Sequence, residues 1–143
     1  LLDRVEVVAT DVSTRAITRA QSGRFGRRSV RDGHPPELAR RYLDVGDLGV
    51  SIDRRLLGAV QFRTANLITD AAIEAAGTFD AILCRNVLFY FRDDQAIRVV
   101  DRLGRALTAD GLLLVGVSES LLRFGTALRC EERAGCFFYR KAS

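Results

Sequence analysis

Three apolar runs, each ending in polar residues, frame this chain. They are VEVVATD at 5–11, FDAILCRN at 79–86 and LLLVGVSES at 112–120. Each is short, nearly continuous and rich in aliphatic side chains, the pattern of a strand buried on both faces. Between them the period changes. Ser13 stands at an N-cap position, STRAITRAQSG reads as a helix of about ten residues, and Gly23 is its stop. RFGRRSVRDGHPP has no clear period and reads as a loop, after which PPELARRYL forms a short helix with Pro36 in its first turn. GDLGVSID and LLGAVQFRTANL alternate weakly and predict strands, the second ending at Asn66; the first is half of a small hairpin. Residues 70–76 predict another short helix. The clearest helix is 93–107, where Ile97, Val100, Leu103 and Leu107 recur every three or four positions and Asp93 and Asp94 suit the positive N-terminus. The DG that follows predicts a turn. In the tail, ALRC and CFFYRK predict two short strands joined near ERAG.

Strand, helix, strand, helix, strand is the order of a parallel sheet with helices on its faces, and the final pair adds an antiparallel edge. The chain therefore predicts one α/β domain over 1–143, with a small inserted β-hairpin subdomain at about 44–60. At 143 residues, 48% hydrophobic, it is long enough for a real core.

Composition removes several function classes. No run approaches the ~18 apolar residues of a membrane-spanning helix, and the first residues lack a signal-peptide pattern. Three cysteines, Cys84, Cys130 and Cys136, form no CxxC pair, and the only histidine is His34. This excludes a disulfide framework and the usual zinc sites, so no metal is expected and a reducing cytoplasm fits. Net charge is +4, and all but Lys141 of the 22 basic residues are arginine. That surface suits an acidic partner or nucleic acid, or is a bias of composition. GxSxG, Walker and His–Cys patterns are absent, which leaves hydrolase and kinase readings unsupported.

In open α/β sheets, ligands bind beyond the carboxyl ends of the strands. There the sequence delivers Asp11, then Asn66 and Leu67, then Arg85 and Asn86, then Ser118 and Glu119. A carboxylate at the first of these positions can accept both hydroxyls of a ribose; Asp11 equally suits a helix cap or turn. Asn66 can donate to and accept from an adenine edge while Leu67 covers its face, or it can simply form a turn. Arg85 and Asn86 face a ligand or hold a loop. Tyr90, in LFYF, is by spacing a core aromatic or a site residue.

Taken in order, ATDVS, GRF, NL, FDAILCRNVLFYF, GLLLVGVSES and a terminal FFYRK resemble the CheR-type chemotaxis receptor methyltransferases over nearly the whole chain. The most specific block is CRNV..YF. The resemblance implies the class I (Rossmann-like) methyltransferase sheet and S-adenosyl-L-methionine as cofactor, with S-adenosyl-L-homocysteine as product. It implies methylation of glutamate side chains on the cytoplasmic helical domains of methyl-accepting chemoreceptors, giving methyl esters. It assigns the ribose to Asp11, the adenosine flank to Asn66 and Leu67, the cofactor pocket to Arg85 and Asn86, and a place near the transferring methyl group to Tyr90, the catalytic candidate. These residues are expected to gather along one rim.

The chain departs from the family pattern in several places. The family's GHSEN is here GVSES, with Val117 for His and Ser120 for Asn. DVGDLGVSID resembles the shorter form of a loop that in some members binds a tethering peptide, so no pentapeptide tethering is expected. The family's glycine-rich cofactor loop, the first central strand before it and the N-terminal helical domain are not in this sequence. The expectation is a partial methyltransferase domain, inactive alone, with a strand missing between those that end at Asp11 and Asn86. The competing reading is a degenerate methyltransferase-like domain that binds S-adenosylmethionine or docks signalling proteins without catalysis. A nucleic-acid methyltransferase lacks support, since no NPPY-type motif follows FDAILC, and no membrane insertion is expected.

Overall fold

The computed structural model describes residues 4–29, 37–69 and 77–142. The chain forms two compact units, Leu1–Asn66 and Leu67–Ser143.

The first unit opens with strand β1 (Val7–Asp11) and helix α1 (Thr14–Ser22). The Ser13 hydroxyl caps α1 by accepting the Ala16 N–H at 3.2 Å. Gly23 ends the helix in the left-handed region at φ 63°, where a Cβ would lie 2.4 Å from the Leu57 side chain. Strand β2 (Arg24–Phe25), a 3-10 turn (Arg27–Ser29), helix α2 (Glu37–Arg40) and strands β3 (Leu43–Gly46) and β4 (Gly49–Ile52) follow. Strands β3 and β4 form a hairpin and β2 adds to it, giving an antiparallel sheet in the order β2-β4-β3. Helix α3 (Arg54–Gly58) then leads to strand β5 (Val60–Thr64). The apolar LL at 56–57, read as the start of a strand, lies in α3 because Asp53 caps a helical turn there, accepting the Arg55 N–H at 2.8 Å. β5 pairs parallel with β1 from Val7↔Val60 to Asp11↔Thr64.

The second unit contains β6 (Phe79–Cys84), a 3-10 turn (Leu88–Tyr90), α4 (Asp93–Arg105), β7 (Leu107–Val115), a 3-10 turn (Leu121–Phe124), β8 (Leu128–Arg133) and β9 (Cys136–Lys141). Its sheet runs β6-β7-β9-β8, with β6 parallel to β7 and both other pairings antiparallel, as the tail pattern predicts. The hairpin closes on Ala134 and Gly135, both at positive φ, the geometry that matches strand twist.

The core of this unit gathers Leu88, Val99, Val100, Leu103, Leu107, Leu113, Leu121, Phe124 and Tyr139. Helix α4 buries Ala96, Val99, Val100 and Leu103, whereas Ile97 is 38% exposed. Val100, Leu103 and Leu107 of the expected row are buried, and Ala96 and Val99 complete the buried face in place of Ile97. The DG at 110–111 is no turn between elements. It lies inside β7 as an irregularity, where the register passes from Phe79↔Leu107 to Ala81↔Leu112.

Each of β1 and β6 has a partner strand on one side only among the described residues, β5 and β7 respectively. The helix expected over 70–76, Pro36 and His34 lie outside the described residues. Among the described residues, no helix is long and apolar enough to cross a membrane.

Candidate functional site

Asp11 closes β1 and is exposed. Its Oδ1 accepts the Ser13 N–H at 2.8 Å, so it does form the turn that its position allows. That role occupies one oxygen. The other meets no donor among the described residues. The Asp11 carbonyl accepts the Ala65 N–H at 2.9 Å, which extends the β1–β5 pairing one step and sets half-buried Asn66 just beyond it. In the first unit, then, Asp11 and Asn66 stand at neighbouring carboxyl ends of two parallel strands. Leu67 belongs to the second unit, where its side chain packs on the core and its carbonyl accepts from the Arg102 guanidinium at 2.5 Å.

Arg85, Asn86 and Tyr90 lie on the connection from β6 to α4. Arg85 is exposed and has no ion pair among the described residues. Asn86 is left-handed, at φ 58°, an uncommon state for a non-glycine residue but one that Asn tolerates. Tyr90 is 78% exposed, which removes the core-aromatic reading; its ring centroid lies 4.4 Å from that of Phe89.

The residue that organises this connection is Glu119, read from the sequence as a rim group. It is instead turned inward, with 5% of its surface exposed. Its Oε2 accepts the N–H groups of Asn86 at 2.6 Å and Gly116 at 2.8 Å; its Oε1 accepts those of Val87 at 2.8 Å and Leu88 at 2.7 Å. Burial pushes its acidity toward the neutral form, but the four amides outweigh that and hold the carboxyl below the usual glutamate value. Gly116 makes room for the arrangement: a Cβ there would lie 2.4 Å from Glu119 Oε2 and 2.8 Å from Asn86 Oδ1. Cys84, beneath the same turn, has its thiol pushed up to about 12 by burial and then by the Glu119 charge. The sequence signal for this cluster was a lone carboxylate three residues after a glycine, following a buried strand. Ser118 and Val117, by contrast, are exposed.

Comparison with known proteins places these features in a family. Residues 2–134 match the family described as "CheR methyltransferase, SAM binding domain". The chain is 34% identical over 122 residues to a chemotaxis protein methyltransferase of Vibrio parahaemolyticus, covering 85% of this chain and 44% of that protein. It is 34% identical over 118 residues to chemotaxis protein methyltransferase 1 of Pseudomonas aeruginosa, covering 82% and 42%. A probable biofilm formation methyltransferase, WspC, of the same organism is 34% identical over 117 residues, covering 82% and 28%. The chain thus spans less than half the length of the curated relatives it matches. Among solved structures, the N-methyltransferase NodS of Bradyrhizobium japonicum superposes with a TM-score of 0.57 at 16% identity, over 96% of this chain and 74% of NodS, a likeness of fold.

S-adenosylmethionine is the cofactor of this domain, and the residues present fit it. An exposed carboxylate with one oxygen that meets no donor among the described residues suits a vicinal diol. An α/β methyltransferase fold, strand-end polar groups and a match over residues 2–134 converge on one assignment: the chain belongs to the CheR methyltransferase family, of which it carries S-adenosylmethionine-binding sequence.

Proposed function

We propose that this chain is part of an enzyme that methylates glutamate side chains on the cytoplasmic helical domains of chemoreceptors. Family membership over residues 2–134 carries this reading; the relatives' printed names, chemotaxis protein methyltransferases, point to the same pathway.

Asp11 accepts the ribose hydroxyls, Asn66 and Leu67 lie along the adenosine, and Arg85 and Asn86 line the cofactor pocket. When bound, S-adenosylmethionine supplies a methyl group on a sulfonium, open to in-line attack by a carboxylate oxygen. An ionised glutamate needs no general base, so the protein's contribution is alignment and removal of water from the carboxylate. Tyr90, exposed at the end of its 3-10 turn, orients the acceptor oxygen through its hydroxyl.

The test is calorimetric titration of S-adenosylhomocysteine into the full gene product and its Asp11→Ala variant, with assay of base-labile methyl esters on receptor cytoplasmic fragments. Asp11→Ala should weaken binding by roughly 1.5–3 kcal/mol, the scale of a hydrogen bond to a charged group. Unchanged affinity would remove Asp11 from the ribose. Absence of ester formation on any receptor fragment, with cofactor bound, would refute the substrate.

A further inference from the structure

Three successive amides, those of Asn86, Val87 and Leu88, converge on one point because Asn86 adopts the left-handed conformation. Converging backbone N–H groups of this kind form an anion-binding concavity. In this turn the anion is internal. The Glu119 carboxylate fills the concavity, and each of its oxygens accepts two amides. The fourth donor, Gly116, and the Glu119 N–H bond to the Gly116 carbonyl at 2.9 Å tie the acid to its own turn after β7. The connection after β6 is therefore held by the loop after β7 through one side chain.

From this arrangement we propose that Glu119 is the positioning residue of segment 85–90. It is an internal anion that fixes Asn86 in its left-handed state and so sets the directions of Arg85, Asn86 and Tyr90. The inference rests on the reading that this segment faces cofactor and acceptor. Glu119 itself touches neither; it acts through the backbone. The left-handed state is costly even for Asn, which tolerates it better than most residues, and bonds from several amides to a charge offset it. No neutral side chain does the same. A glutamine has one oxygen, and its amide group would present hydrogens to two N–H donors.

The experiment compares the full gene product with E119Q, E119D and E119A, at a temperature where circular dichroism shows all to be folded. Hydrogen exchange read by mass spectrometry over residues 85–91 should be at least ~10-fold faster in E119Q and E119A, with exchange over 136–141 unchanged. S-adenosylhomocysteine should bind both at least ~10-fold more weakly. E119D, which keeps the charge, should fall between. Formate, but not chloride, should restore slow exchange and affinity in E119A by entering the vacated concavity. Unchanged exchange over 85–91 in E119Q would overturn the clamp. Faster exchange with unchanged affinity would overturn the positioning role. Failure of the wild type to bind S-adenosylhomocysteine would instead sink the cofactor reading, while the exchange comparison still decides the clamp.

Discussion

Two glycine-to-alanine substitutions in the second unit should move stability in opposite directions. At Gly116 a methyl group would lie 2.4 Å from Glu119 Oε2 and 3.1 Å from the Asn86 nitrogen. The obstructing oxygen cannot swing away, because that carboxylate is held by four amides. Relief of the clash requires Oε2 to retreat by about half an ångström, enough to take its two bonds out of the short, charge-assisted range. Losing such bonds costs about 1.5–3 kcal/mol each when the donors stay buried, and overpacking alone costs about 1–3 kcal/mol. Partial relaxation puts Gly116→Ala at about 2–4 kcal/mol of destabilisation. At Gly104, inside α4, an added Cβ would instead meet Leu128 Cδ2 at 3.5 Å, an ordinary contact. There alanine removes backbone freedom from the unfolded chain and should stabilise by roughly 0.5–1 kcal/mol. Urea unfolding followed by tyrosine fluorescence reads both, since buried Tyr139, whose hydroxyl accepts the Leu121 N–H at 3.0 Å, reports on this unit. With a slope of about 1–3 kcal/mol per molar urea, the two midpoints should separate by at least ~1 M. A Gly116→Ala protein within ~0.5 kcal/mol of wild type would refute the packing argument for the Glu119 cluster.

Two further outcomes follow from the ionisation of the same region. Glu119 has a folded acidity shifted below its ordinary value of 4.5, so its stabilisation is present above that pH and is lost as pH falls through the lower folded value. The acid limb of the stability curve should therefore flatten in E119Q; Asp53, held at about 2 by its hydrogen bonds to Arg55, titrates in both proteins and cancels in the comparison. Identical acid limbs would contradict the assignment. Cys84, with its thiol pushed up to about 12, should resist thiol reagents at pH 8 until the protein unfolds, whereas exposed Cys136 reacts at once. Mass mapping of early label on Cys84 would refute this.

The sequence by itself determined β1, α1, β6, α4 and β7, the cap at Ser13, the stop at Gly23 and the antiparallel tail, but neither β2 nor α3. The features it determined depend on local period and on side chains acting within a few residues of themselves. It also carried the family, through CRNV..YF and its neighbours. What it could not carry were properties set by partners distant along the chain. On α4 the period marks Ile97, yet Ala96 is buried and Ile97 is 38% exposed, because which of two adjacent apolar residues faces inward is set only when a surface packs against the helix. Glu119 read as a rim acid, because its four donors include three more than thirty residues away, at Asn86, Val87 and Leu88. Whether a carboxylate points at solvent or inward depends on whether enough donors wait to offset its desolvation, and only the folded chain brings those donors together.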